Sequence, residues 1–339
     1  MRQLTLSEER RVEWLEVADP HIQEATDAIV RPLAVALCDL DGPMVRGEAP
    51  FPGPIALGHE FVAEVVSAGD MVETAVGALC VVPFQVSCGQ CARCMRGQTG
   101  DCTTVPERSM FGFGQFGGHW GGALSDLVRV PFADHMLVPV AEGIAPATVA
   151  SASDNIPDGW RTVAHPLEHR HGAHVLVVGG ASIGLYAVDC ALALGAEGVT
   201  YVDHDPERLR IAETLGADVH EGELPHRLGP FPITVDSGAT RESLALALRS
   251  TEPGGECTST GILFEPETPM PLLEMYTSGV NFHVGRVMAR PAIPAILELV
   301  AEGRLRPELV TSRVAGWEEA PEAVASPERK LVIQREQQR

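Results

Sequence analysis

The stretch Val175-Leu176-Val177-Val178-Gly179-Gly180-Ala181-Ser182-Ile183-Gly184 decides the fold. Four consecutive apolar residues predict a strand buried on both faces, as in a parallel sheet. The residues after it follow the pattern G-x-G-x-x-G, with Ala181 in the second glycine position. Gly179 permits the tight turn, a small Ala181 still lets backbone approach a pyrophosphate, and Gly184 lets helix and strand pack closely. Gly180, Ser182 and Ile183 complete the turn and open a helix, whose free N–H groups and dipole favour an anion. Asp203 ends the next predicted strand, at the distance where an acid accepts hydrogen bonds from a ribose 2′-OH and repels a 2′-phosphate. The expected cofactor is therefore NAD(H), favoured over NADP(H).

Outward from this turn the alternation continues. Helices are predicted at 183–194, 206–215 and 242–248, and strands at 198–202, 233–235 and 261–263. Asp205 caps the second helix and Pro206 occupies its first position. Strands alternating with helices predict an α/β, doubly wound parallel sheet. A helix at 292–302 and a strand at 331–333 follow, and 335–339 are expected to fray. Before Pro157 the character differs. Short apolar runs at 29–37, 61–66, 79–82 and 124–130 are separated by Gly and Pro, which predicts an irregular β domain.

The 339 residues suffice for about two domains. A formal net charge of −21, from 46 acidic and 25 basic residues, argues against nucleic acid and an anionic membrane surface as partners. No apolar run of about 18 residues is present. The N-terminus carries no apolar leader, so a cytoplasmic location is expected. In that setting cysteines bind metal more readily than they pair. Four of the eight follow the spacing C-x2-C-x2-C-x7-C: Cys88, Cys91, Cys94 and Cys102. Four thiolates on a compact loop suit a closed, tetrahedral structural zinc site. Cys38 and the run Gly58-His59-Glu60 offer a further thiolate and imidazole that suit zinc, but spacing alone supplies no third ligand.

Taken in order, Cys38, Gly58-His59-Glu60, the four-cysteine lobe, Gly179 to Gly184 and Asp203 resemble the zinc-dependent medium-chain alcohol dehydrogenase family over the whole chain. The resemblance implies a GroES-like β domain (1–154 and 287–339, with the structural-zinc lobe at 88–102) plus a Rossmann domain (155–286). It implies two Zn²⁺ per chain, a small-molecule substrate and a homodimer or homotetramer. Cys38, His59 and Asp154 would hold the catalytic zinc. Asp154 and the run Arg129-Val130-Pro131-Phe132-Ala133-Asp134 resemble the formaldehyde, threonine and secondary-alcohol dehydrogenase branches. Glu60 would be a neighbouring carboxylate able to approach the metal, Asp41 the acid that orients the histidine, and Phe84 a pocket aromatic. Arg208 joins the cofactor-binding set. The implied reaction interconverts an alcohol and an aldehyde or ketone by hydride transfer.

One position departs from the family pattern. Leu40, two residues after Cys38, stands where members carry the hydroxyl that relays the alcohol's proton. Three consequences are open: another relay through Asp39 or Glu60, a substrate such as an imine, iminium or conjugated alkene, or a non-catalytic NAD-binding zinc protein. Trp120, in a glycine-rich stretch, lines the substrate pocket or packs the β domain. His165, His169, His171 and His174 read as a solvated helix end. Gly285-Arg286 fall near the nicotinamide half of the cofactor, and Cys190, Cys257 and Trp14 read as core.

Overall fold

A computed structural model describes residues 1–327 and 329–336. The chain forms two units, Met1–Pro157 with Met288–Ala301 and Thr311–Arg339, and Asp158–Val287 with Glu302–Val310.

In the first unit the central strand Ala28–Ala36 runs antiparallel to Glu60–Ala68 and to Leu331–Gln334. Its sheet continues on one side through Leu79–Val82 to Val138–Pro139, and on the other to Arg313–Gly316. Val128–Val130 pairs along the start of Ala28–Ala36. A three-stranded sheet of Val12–Glu16, Arg2–Leu6 and Ile55–Ala56 completes the unit. The register does the positioning. Ala36 lies opposite both Glu60 and Val332, so Cys38, His59, Glu60 and Lys330 arrive at one end of three neighbouring strands.

The second unit is a six-stranded sheet in which every pairing is parallel. Its order is Asp218–Glu221, Val199–Asp203, Val175–Val178, Phe231–Asp236, Thr251–Ser259, Asn281–Val284. Numbered along the chain this is 3-2-1-4-5-6, the dinucleotide-binding order, which reverses between Val175–Val178 and Phe231–Asp236. Val175 to Val178 are fully buried, as a strand covered on both faces must be. Helix Ser182–Ala193 opens directly from the glycine turn. Gly184 has to be glycine, because a Cβ there would lie 2.1 Å from the Gly179 carbonyl oxygen. Helix Pro206–Leu215 is capped as its sequence predicts, Asp205 accepting from the N–H groups of Glu207 and Arg208.

Four expectations need correction. Residues 261–263 are not a strand: the ladder is filled by Thr251–Ser259, and Ile262 is exposed beyond its end. The turn-like Pro253-Gly254-Gly255 obscured that strand, and a register shift between Phe231 and Ile233 accommodates it. Of 124–130, only Val128–Val130 pairs as a strand. Residues 302–310 belong with the second unit, where Asp189 accepts from the Arg306 N–H at 2.7 Å. Arg335 is no frayed residue. Its guanidinium lies 3.9 Å from the Trp317 ring centroid and contacts the Pro32 carbonyl and Asp126. Residues 337–339 of the expected tail lie outside the described residues.

Asp189 carries a pH signature. Burial pushes its carboxyl up to about 6, against the pull of the Arg306 N–H and charge. An acid whose folded pKa exceeds its unfolded value is stabilising below the unfolded pKa and loses that contribution as pH rises through the folded one. Wild type should therefore lose stability between about pH 4 and 6 from this group, by roughly 3 kcal/mol for a two-unit shift. Asp189→Asn keeps the acceptor and should flatten that slope in urea titrations; an unchanged slope would count against the assignment.

Candidate metal centres and dinucleotide turn

Cys38 follows the central strand, and its N–H donates to Asp41 Oδ2 at 2.8 Å. His59 is set by Gly58, whose φ of +90° is a left-handed conformation and whose Cβ would lie 2.8 Å from the Leu124 nitrogen. Asp154 is held by its neighbour. The Ser153 hydroxyl accepts from the Phe61 N–H at 2.8 Å and donates to the Phe61 carbonyl at 3.0 Å, tying the 153–154 turn to the strand that carries Glu60.

The outcome is a buried cluster in which the ligand atoms of Cys38, His59, Glu60 and Asp154 lie within 4.8 Å of one another. His59 Nε2 is 3.5 Å from Asp154 Oδ2, and Nδ1 is 3.7 Å from Asp41 Oδ1. Neither ring nitrogen has a hydrogen-bond partner among the described residues, and neither does Asp41 Oδ1. Buried polar atoms are seldom left so. Electrostatics agree. Burial, with Asp154, Glu60 and Asp41 nearby, pushes the Cys38 thiol well up. Burial also raises Asp41, and raises Glu60 to about 7. For His59 burial opposes protonation, yet Asp41, Asp154 and Glu60 outweigh it and hold the imidazole near 9. Thiol, imidazole and carboxylate crowded together, with orphaned nitrogens among them, fit a divalent metal ion of the zinc type.

Three neighbours of this cluster escape sequence reasoning. Lys330, 1% exposed, donates to both Glu60 oxygens at 3.1 and 3.0 Å. A signal was available: Lys330 is the one lysine in the sequence, every other basic residue being arginine. Asn155 lies beside Cys38 Sγ at 3.2 Å. The Phe113 ring lies tilted at 4.8 Å from the His59 ring centroid, closer than the expected Phe84 at 5.8 Å. Leu40 precedes helix Asp41–Arg46 at its N-cap and offers no hydroxyl there. Trp120 lies against Arg129, 5.4 Å from the ring centroid, and Arg129 in turn pairs with buried Asp27. His165, Glu168 and His169 share an exposed face of helix Asn155–His169.

The cysteine lobe is knit by N–H to sulfur contacts. Cys88 Sγ accepts from the N–H groups of Gln90 and Cys91 and from the Thr104 hydroxyl, and Cys91 Sγ accepts from the Cys94 N–H. These donors favour thiolate: Cys91 is lowered to about 5, first by the Cys94 N–H. Cys91 and Cys102 sulfurs stand 3.9 Å apart, far from a disulfide and close to the ~3.8 Å edge of a tetrahedron with ~2.3 Å zinc–sulfur bonds. The four thiols fit a closed metal site. Cys91→Ser should lower the metal content by one ion and the stability by about 2 kcal/mol; a variant melting with wild type would overturn the assignment.

In the second unit Asp203 is 2% exposed. Its Oδ1 accepts from the N–H groups of His204 and Asp205 and from Arg208 Nη2 at 2.8 Å, and the Tyr201 hydroxyl lies 2.9 Å from Oδ2. Cys190 and Cys257 are fully buried and their thiols are raised by burial, as inert core residues are.

A two-unit chain with a thiolate–imidazole–carboxylate cluster, a four-cysteine lobe and a glycine turn on a 3-2-1-4-5-6 sheet has the architecture of a metal-dependent dehydrogenase. Comparison with known proteins agrees. Residues 24–142 match the alcohol dehydrogenase GroES-like domain and residues 182–302 the zinc-binding dehydrogenase domain. A "probable zinc-binding alcohol dehydrogenase" of Mycobacterium tuberculosis is 30% identical over 315 residues, covering 91% of this chain and 80% of that protein. A glutathione-independent formaldehyde dehydrogenase of Pseudomonas aeruginosa is 33% identical over 221 residues, 62% of this chain and 55% of its own length. An alcohol dehydrogenase structure from Thermus sp. ATN1 superposes with a TM-score of 0.86 at 29% identity, covering 99% of this chain and all of that one. The chain belongs to the zinc-binding alcohol dehydrogenase family and is an oxidoreductase. Among the described residues no helix is long and apolar enough to cross a membrane.

Proposed function

We propose that the chain interconverts an alcohol and an aldehyde or ketone with NAD(H), using one zinc ion at Cys38, His59 and Asp154 and a second in the cysteine lobe. The observation that carries this reading is a fully buried histidine with two unpartnered nitrogens, enclosed by a thiol and carboxylates. When bound there, zinc supplies a Lewis acid for the substrate oxygen. The protein's own groups prepare the site. Cys38 and Asp154, one negative charge each, balance a divalent cation, so the ligand set itself adds no net charge. Asp41 Oδ1 lies 3.7 Å from His59 Nδ1, and a carboxylate on that side favours a proton on Nδ1 and leaves Nε2 free to ligate. Lys330 holds Glu60 by both oxygens, which cancels the charge of the acid nearest the trio. Phe84 and Phe113 flank the imidazole and keep water from that side.

The glycine turn would take the pyrophosphate at the N-terminus of helix Ser182–Ala193. Asp203 and Arg208 would meet the adenine ribose. Arg208 already neutralises Asp203, so Asp203→Gly both removes the acid and frees a guanidinium for a 2′-phosphate. The ratio of kcat/KM for NAD over NADP should fall ~10–100-fold, the worth of a charge-assisted hydrogen bond; a constant ratio would refute Asp203 as the discriminator.

Leu40 supports a second reading, a relay-less reductase of imines, iminium ions or conjugated alkenes. The test of both is metal analysis joined to an NADH-absorbance screen over primary and secondary alcohols, aldehydes and cyclic imines. Two ions and alcohol turnover are expected. Imine reduction alone would favour the second reading, and one ion with no turnover would sink both.

The chain is further read as a cytoplasmic homodimer or homotetramer. Eight free cysteines support a reducing compartment. Exposed Leu272, Leu273 and Tyr276 on helix Leu272–Ser278, and Val284 on the edge strand Asn281–Val284, support association through the second unit.

A further inference from the structure

Asn155 is almost fully buried, at 1% exposure, and its amide can face only one way. Its Oδ1 lies 2.8 Å from Lys330 Nζ, an ammonium that donates and never accepts. The Asn155 NH₂ must therefore point away from Lys330. There it meets Cys38 Sγ at 3.2 Å and Asp154 Oδ2 at 3.3 Å, the two anionic members of the proposed ligand trio. Lys330 is fixed in turn by the Leu37 carbonyl at 2.8 Å and by both oxygens of Glu60. An ammonium with three divergent donors meets these acceptors, whereas the planar guanidinium used at every other basic position of the chain would not.

We propose that Asn155 is a positioning residue for the catalytic metal, its amide locked by Lys330 so that its NH₂ donates to the Cys38 thiolate and the Asp154 carboxylate. The inference rests on the zinc reading of that trio. A hydrogen bond to a thiolate stabilises its lone pairs and reduces what the sulfur gives to a cation. The cation then keeps more of its charge for the substrate oxygen. The same bonds hold both ligands in place, and such outer partners typically govern metal affinity ~10–100-fold. Other side chains of similar size fail on chemistry: aspartate has no donor, and leucine has neither donor nor acceptor.

The test uses cobalt(II) loaded into the full chain. The spectrum of the ion at the trio is the difference between wild type and Cys38→Ala, which keeps only the lobe's ion. In Asn155→Leu the sulfur-to-cobalt charge-transfer band should move to longer wavelength, because an unbonded thiolate gives up an electron more easily. A competing chelator should strip this ion at ~10–100-fold lower concentration, with the lobe's ion unaffected. Asn155→Asp, nearly identical in shape, should move the band the same way, because its carboxylate cannot donate to the thiolate, and covers the case in which Asn155→Leu does not fold. A wild-type band and affinity in either folded variant would overturn the proposal. Wild type that loads only one cobalt ion would instead overturn the zinc reading beneath it.

Discussion

On the proposed two-zinc reading, replacing Cys38 or Asp154 by alanine should remove one ion and cut turnover at least ~10³-fold. A Lewis acid contributes several kcal/mol at the substrate oxygen, and every 1.36 kcal/mol is tenfold in rate. The fold should survive both changes. Burial and neighbouring carboxylates already make the Cys38 thiolate costly, so the metal-free chain loses little with it. The lobe's four sulfurs are independent of the change and should retain their ion. The measurement is metal content beside turnover. Two ions remaining in either variant would remove Cys38 or Asp154 from the ligand set.

The second large effect is on stability. Lys330→Met should cost ~3–5 kcal/mol in urea unfolding, the usual consequence of taking one partner from a buried ion pair. Glu60 is 0% exposed and would lose the ammonium that holds both its oxygens, and Asn155 Oδ1 and the Leu37 carbonyl would lose their donor. Adding Glu60→Gln to Lys330→Met should restore most of the loss, because a neutral amide replaces the orphaned, titratable carboxyl. If Lys330→Met alone unfolds at the wild-type midpoint, the pair is not what holds these strands' ends together.

Much of this was legible beforehand because it is local. The apolar run Val175 to Val178, the glycines after it, and Asp205-Pro206 at a helix start each state their conformation within a few residues. The four cysteines state their chemistry through spacing alone. Cys38, His59 and Asp154 needed family resemblance, since 21 and 95 residues separate them and no periodicity spans such gaps. Asn155 sat in plain view beside Asp154, yet nothing local says that its amide faces a thiol. Lys330 comes to Glu60 only through strand register, and Phe113 reaches His59 from the turn that opens the short helix Gly114–Gly117. Residues 261–263 misled because Ile262 and Leu263 after a glycine fit a strand in isolation, while the sheet had already closed its ladder at Ser259.

The pairing of Leu331–Gln334 with Ala34–Ala36 also sets an order of events during translation. Glu60 leaves the ribosome 270 residues ahead of the ammonium that neutralises it. Until that strand docks, the β unit carries a thiol and three acids with only the His59 imidazole as counter-charge. A proton or a captured metal ion has to serve in the interval, so zinc supply should bear on how well the growing polypeptide avoids misfolding as well as on the finished enzyme.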